Sequence, residues 1–355
     1  MNPLRAEVVK ALWNARSTAQ VDAVLRELPI VDADDYQVDF NGKRIGTWKR
    51  GYLHWLPVGL DRGNAGRIKL AGEPVNPLAE RLVNGMEAII ELERLLELLK
   101  DPTAVMPANP REAVLRYFGL PRLDSIPRME PDEIRRYREL VDQVRRKLMI
   151  MLTYDRKSKE FAVIIRDHGM GQPPSRMHET LLSLGQSDKA DKPYLIGVFG
   201  QGGSSAFAAS ERSVILSRRA SELVKSDRDG GLGWSVVRHI FPKNTRSSYF
   251  AYLAASEDGE VPSIDAAAAD KLGYKTGSQF CHVKYDFANS ESAVTRLMYQ
   301  ALNHVLFNPI LPYELYAMKD KPELMQGTGQ RLARQVVKIG RQGTLDKSFA
   351  PQAVA

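Results

Sequence analysis

A single cysteine, Cys281, stands among 355 residues. One thiol excludes an intramolecular disulfide and any Cys-rich zinc site, so nothing in the chain calls for an oxidising compartment. Long hydrophobic runs are missing as well. No stretch approaches the roughly 18 uninterrupted apolar residues of a membrane helix, and Met1 to Lys10 lacks the apolar core of a signal segment. A soluble, cytoplasmic protein with no membrane partner is the expectation. Internal repeats are also absent. What is present is an apolar content of 43%, enough to bury a substantial core in one large domain with appendages or in two ordinary ones. The net charge of +7 would attract polyanions such as DNA or nucleotide phosphates. Its basic residues are scattered, apart from Arg135/Arg136/Arg138, Arg145/Arg146/Lys147 and Arg331/Arg334/Lys338/Arg341, and such clusters are ordinarily solvated helix faces.

Hydropathy patterning predicts intermingled helices and strands. Pro3 to Leu28 reads as two short helices broken near Arg16 to Thr18, and Tyr36 to Trp55 as a hairpin turning at Asn41-Gly42. A strong helix runs from Pro77 to about Lys100, opened by a proline tolerated in a first turn. Residues 101–146 read as an insertion, irregular apart from helices near Glu112 to Phe118 and Pro131 to Arg146. Leu148 to Leu152 and Phe161 to Ile165 form a second hairpin, followed by a helix at Arg176 to Leu184 and another at Ser204 to Ala209. Strands follow at Val214 to Arg218, Trp234 to Ile240, Phe250 to Ala254 and Gln279 to Phe287, then a helix at Glu291 to Phe307 and a basic tail. The order implies an α+β sandwich, a mixed sheet with helices on one face. It divides as 1–70, an N-terminal extension; 71–290, the main domain; and 291–355, a terminal helix and tail.

Three stretches carry chemistry. At about 100° per residue, Glu80, Asn84, Glu87 and Glu91 share one narrow arc of the long helix, opposite an apolar face of Leu82, Val83, Met86, Ile89 and Ile90. An acidic arc is usually a solvated face, yet Asn84-Gly85 inside a helix costs about 1 to 1.5 kcal/mol against alanine, so something besides helix stability favours the pair. Asp167-His168-Gly169-Met170-Gly171 puts a carboxylate at a strand end and glycines where backbone can approach a ligand. Gly197-Val198-Phe199-Gly200-Gln201-Gly202-Gly203-Ser204 leads into a helix, a run of backbone N–H groups suited to polyphosphate. No Gly-Lys-Ser/Thr ends it, so it is neither a Walker P-loop nor a dinucleotide fingerprint.

Together, in this order, these stretches resemble the Bergerat-fold, or GHKL, ATPase superfamily of gyrase, the heat-shock chaperones, histidine kinases and MutL. Glu80 to Ala88 is similar to its Glu-x-x-x-Asn-x-x-Asp/Glu-Ala helix, Asp167 to Gly171 to its Asp-x-Gly-x-Gly, and Gly197 to Gly202 to its Gly-x-x-Gly-x-Gly, most like the chaperone version. Gly277-Ser278 resembles the Gly-Thr that enters a late strand. The resemblance implies a two-layer Bergerat sandwich and Mg²⁺-dependent ATP binding and hydrolysis. Glu80 would be the catalytic base and Asn84 the Mg²⁺ ligand. Asp167 would accept from the adenine amine, with Ser278 assisting through water. Glu87, Gly169, Met170, Gly171, Gly197, Gly200, Gln201, Gly202, Gly203 and Ser204 would complete the nucleotide site, and residues 172–196 would form a lid.

Gly85 and His168 depart from the family, which usually has alanine or serine and asparagine there. The relatives also continue into a domain lending a cation to the γ-phosphate, a role for which Lys319, Lys321 and Arg331 are the candidates. The expected function is an ATP-driven conformational or dimerisation switch, an ATP-dependent homodimer acting on DNA or a protein client in a chaperone-like, repair-like or defence setting. Two alternatives stand: a non-catalytic nucleotide sensor of a larger DNA-associated assembly, and a histidine-kinase-like enzyme, for which the only histidine before Glu80 is His54.

Overall fold

A computed structural model describes residues 5–39, 41–184, 191–196, 204–243, 247–288 and 293–332. Helices α1 (Ala6–Asn14) and α2 (Thr18–Arg26) are separated at Ala15-Arg16-Ser17, where the backbone turns extended. The Asn41-Gly42 turn joins two very short strands, β1 (Gln37–Val38) and β2 (Arg44–Ile45), and Gly42 takes the φ of +77° that favours glycine. Strand β3 (His54–Pro57) precedes the long helix α3 (Asn76–Lys100).

The inserted segment is ordered by its own caps. Asn109 accepts from the Glu112 amide to start α4 (Pro110–Phe118), and Gly119 ends it in the left-handed region. Glu130 and Glu133 form a reciprocal capping box at α5 (Pro131–Arg145). After it come β4 (Leu148–Asp155), β5 (Glu160–Asp167), α6 (Met177–Thr180), α7 (Ser205–Ala208), β6 (Ser210–Arg218), β7 (Leu232–Ile240), β8 (Tyr249–Ala254) and β9 (Ser263–Ile264). The chain continues through α8 (Ala266–Lys271), β10 (Gly277–Tyr285), α9 (Val294–Val305), β11 (Tyr313–Ala317) and β12 (Glu323–Met325).

Ten strands form one mixed sheet in the order β12-β11-β4-β5-β10-β6-β7-β8-β3, with β9 beside β7. Among the described strands of this sheet, only the β11–β4 pair is parallel. Period-two alternation gives the sheet two buried faces. Val163 and Ile165 of β5 join Leu78, Leu82, Met86 and Ile90 of α3, together with Ala113, Phe118, Tyr137 and Val141 of the insertion. Ala162 and Ile164 point the other way, into a cluster with Val8, Val9, Leu12 and Val21 of α1 and α2. The expected single helical layer is therefore corrected: the N-terminal helices cover the second face, because β5, β6, β7 and β10 carry apolar residues at both parities. The insertion is part of the main core rather than an appendage. So are α9, β11 and β12, and each fully buried leucine there contributes about 1.5 to 3 kcal/mol.

The helix expected at Arg176 to Leu184 is shorter. Leu182 offers its carbonyl to the Gly59 amide at 2.8 Å, which draws that turn out of helical register toward the strand region near β3. Among the described residues no helix is long and apolar enough to cross a membrane.

Candidate functional site

Asp167 ends β5, a central strand flanked by β4 and β10. Its Oδ1 accepts from the Gly169 amide at 2.9 Å and the Ser278 amide at 3.3 Å. Oδ2 has no hydrogen bond among the described residues, although the residue is only 6% exposed. Burial pushes this carboxyl up to about 6, against the lowering effect of those two amides.

The loop after Asp167 is moulded by close approaches. Gly171 has φ +60°, and a Cβ there would fall 1.8 Å from the Arg218 carbonyl oxygen. Gly277, at φ +93°, would drive a Cβ to 2.0 Å from the Asp167 carbonyl oxygen. Met170 donates its amide to Ala88 of α3 at 3.0 Å and accepts from the Ala220 amide at 2.9 Å. The loop is thereby stitched to α3 on one side and to the end of β6 on the other.

Gly85 now has its reason. A Cβ at that position would meet Leu148 Cδ1 at 2.7 Å and Asp167 Cβ at 3.4 Å, so glycine lets α3 lie directly against the strand end that bears Asp167. Ala88, one turn later, touches the Asp167–Gly171 loop at Gly169.

Around this contact lies a cavity of about 220 Å³. Asn84, Glu87, Asp167, Met170, Gly171, Ser204 and Ser278 line it, as do Arg81, Gly85, Glu91 and Phe280. Residues of the expected lid, Thr180 and Ser183 on one side and Lys192 and Leu195 on the other, complete the wall. Four stretches far apart in sequence are thus brought together. Gly169 is not among the lining residues, since it packs on α3. Gly197, Gly200, Gln201, Gly202 and Gly203 lie outside the described residues.

The acidic arc of α3 divides in two. Glu80 is exposed, makes no hydrogen bond among the described residues and is not in the cavity wall. Its carboxyl is nonetheless raised by the surrounding protein, with the Arg81 charge opposing. Glu87 and Glu91 are buried and act as posts. Glu87 accepts from the Ile196 amide at 2.7 Å, while Glu91 accepts from Lys192 Nζ at 2.9 Å and the Tyr194 hydroxyl at 2.6 Å. Three bonds therefore pin residues 192–196 to one helix face. The arc on the sequence contained this, because Glu91 repeats the position of Glu87 and Asn84; its use as an anchor needed the fold.

Ser217 and Arg81 are the residues that pattern reading missed. Ser217 is fully buried and hydrogen-bonded to Ser278 Oγ at 2.9 Å, and its Oγ accepts from the Gln172 amide at 2.8 Å. A lone hydroxyl ending the run Val214-Ile215-Leu216 was the available signal. His168 is not among the cavity-lining residues; burial lowers its imidazole, and its amide donates to the Lys147 carbonyl. His54 is fully buried in β3 and stacks on Trp48 with ring centroids 3.6 Å apart, which is not the setting of a phosphoaccepting histidine on a dimerisation helix. Lys319 pairs with Glu323, Arg331 lies over Tyr299, and neither they nor Lys321 reach the cavity wall.

Among the described residues no three His, Cys, Asp or Glu side chains gather as a metal site. Compared with known proteins, the sequence matches no family model and no curated protein.

Proposed function

We propose that the cavity binds the adenine nucleotide ATP with Mg²⁺ and that the protein hydrolyses it, in a Bergerat-type arrangement of α3 and the sheet to which the N-terminal helices add a second helical layer. The observation that carries the reading is Asp167. It is a buried carboxylate with one oxygen held by two amides and the other lacking a hydrogen bond among the described residues, beside a cavity bounded by α3, the Asp167–Gly171 loop and Ser278. An exocyclic amine satisfies such an oxygen, and a carbonyl repels it, so adenine is favoured over guanine.

Asn84 suits Mg²⁺ because this ion takes few protein ligands and keeps water and phosphate oxygens as the rest, so no acidic cage is required. Bound there, the ion would supply charge neutralisation to the triphosphate. Glu80 would hold the attacking water and take its proton as the water oxygen bonds to the γ-phosphorus and the bridging oxygen leaves with ADP. Its raised carboxyl makes it a stronger base than an ordinary glutamate. The pinned segment 192–196 would fix one side of the lid, and lid ordering would drive the conformational or dimerisation switch, with a DNA or protein client beyond.

A second reading, a nucleotide-sensing module without hydrolysis, is favoured by the position of Glu80 outside the cavity wall. One paired experiment tests both. Calorimetric titration with ATP and GTP in Mg²⁺, followed by single-turnover phosphate release, is expected to show ATP preferred and hydrolysed. Equal affinities would overturn the adenine assignment, and binding without phosphate release would select the sensor.

A further inference from the structure

Arg81 lies on α3, one turn before Gly85, in the cavity wall. It is 7% exposed, and its guanidinium sits over two rings, 4.0 Å from the Phe280 centroid and 4.9 Å from that of Phe207. Those rings hold a cation in place but offer no lone pair. Nε and Nη2 are buried without a hydrogen-bond partner, and no carboxylate is hydrogen-bonded or ion-paired to this side chain among the described residues. Desolvation draws the guanidinium down to about 9, so it still carries its charge at neutral pH.

The other charged groups of the cavity already hold protein donors or acceptors. Lys192 and Tyr194 meet Glu91, the Ile196 amide meets Glu87, and two amides meet Asp167. Arg81 is left as a buried cation without a hydrogen-bonded counter-ion, feeling only the charge of the exposed Glu80 beside it, and a protein tolerates such a group best where a ligand supplies the missing partner. We propose that Arg81 is an anion-binding residue of this cavity, and that it takes a phosphate oxygen of the bound nucleotide. The nucleotide part of this statement rests on the function proposed above; the anion part does not. A planar guanidinium offers paired donors to a tetrahedral phosphate, and the two aromatic rings prevent it from swinging out to water.

Arg81→Met separates this role from a packing role, because methionine keeps the stem and removes the charge. Calorimetry with ATP and with adenosine, and melting with inorganic tripolyphosphate, should be run on the parent and the variant. The variant is expected to lose about 10- to 100-fold in ATP affinity while holding adenosine as the parent does. It should also lose the stabilisation that tripolyphosphate gives the parent. Parental ATP affinity together with a parental tripolyphosphate response would overturn the proposal while leaving the adenine site standing. If the parent binds neither ATP nor adenosine, the nucleotide reading falls, and the tripolyphosphate melt still decides for or against Arg81. Should Arg81→Met not fold, Arg81→Lys carries the test: weaker ATP with unchanged adenosine supports the role, and no change in either removes it.

Discussion

Two arginines, Arg81 beside the cavity and Arg218 at the end of β6, are each 7% exposed, yet their surroundings differ completely. Arg218 donates to Asp270 Oδ1 and the Tyr274 carbonyl, both at 2.7 Å, and to the carbonyls of Gly230 at 3.1 Å and Ala266 at 3.3 Å. Arg81 has two rings and no acceptor among the described residues. The same fold can therefore satisfy a buried guanidinium fully, and beside the cavity it does not. Asp167 repeats the pattern in the cavity wall, with one oxygen lacking a hydrogen bond among the described residues, whereas Glu80 is exposed to water and outside that wall. Buried polar atoms without a hydrogen-bond partner also occur away from the cavity, at Arg166, Trp234 and Arg238 for example, but Arg81 combines that state with a place in the cavity wall, where a ligand can complete it.

Glu80 offers the harshest way to break this comparison. Glu80→Ala is expected to slow single-turnover ATP hydrolysis by about 100-fold to 10,000-fold while leaving calorimetric ATP affinity close to parental. Parental hydrolysis would make Glu80 an ordinary surface carboxylate and turn attention to Glu87. On the satisfied side, Arg218→Met should lower stability by about 2 to 4 kcal/mol, since it strands three carbonyl acceptors and Asp270. Denaturant unfolding measures it, and an unchanged midpoint would mean that the network around Arg218 contributes nothing.

Asp167→Asn should move stability and binding in opposite directions. A carboxyl raised from its ordinary value to about 6 gives stability that is complete below the unfolded value and lost as pH rises through about 6. At neutral pH the ionised form is therefore a cost, and the amide should stabilise the apo protein by on the order of 1 to 3 kcal/mol, read as a higher melting temperature. ATP affinity should fall about 10- to 100-fold, because a donor replaces the acceptor that meets the adenine amine. For the parent, ATP affinity should decline as pH drops through about 6, by up to roughly tenfold per unit, with Asp167→Asn flat over the same range. The gentlest probe is Gly85→Ala. Helix propensity gains about 1 kcal/mol, but the Leu148 methyl must move, and net stability should change little while the displaced Asp167 weakens ATP severalfold. A crystal structure of that variant with Asp167 unmoved would remove the reason given for Gly85.

Much of this was legible in the sequence. Pro77 to Lys100 is a helix, Leu148 to Asp167 a hairpin and Gly277 to Tyr285 a strand because each repeats its own period over many residues. The convergence of Asn84, Asp167 and Ser278 was expected from the resemblance of the spaced motifs to the Bergerat-fold family, and not from any one motif, and the three do line one cavity. What stayed hidden depended on partners distant in the chain. Tyr313 to Ala317 is too short to announce a strand until β4 lies beside it, and the second helical layer is visible only when Ala162 and Ile164 find α1 and α2. Arg81 looked like one more polar residue of an amphipathic helix; only the rings of Phe207 and Phe280, more than a hundred residues away, make it exceptional.

The stitching of the Asp167–Gly171 loop has a dynamic consequence. Its amides and carbonyls bond to Ala88 of α3, to Lys147 just before β4 and to Ala220 after β6, so this floor cannot open without breaking several backbone hydrogen bonds at once. Local opening there should therefore be rarer than in a loop held by fewer bonds, and hydrogen exchange at the His168 and Met170 amides would read it. Among the described residues, Thr180, Ser183, Lys192 and Leu195 form the part of the cavity wall built from short segments rather than from α3 and the sheet, so a change there would alter ligand exchange at the least cost to the core.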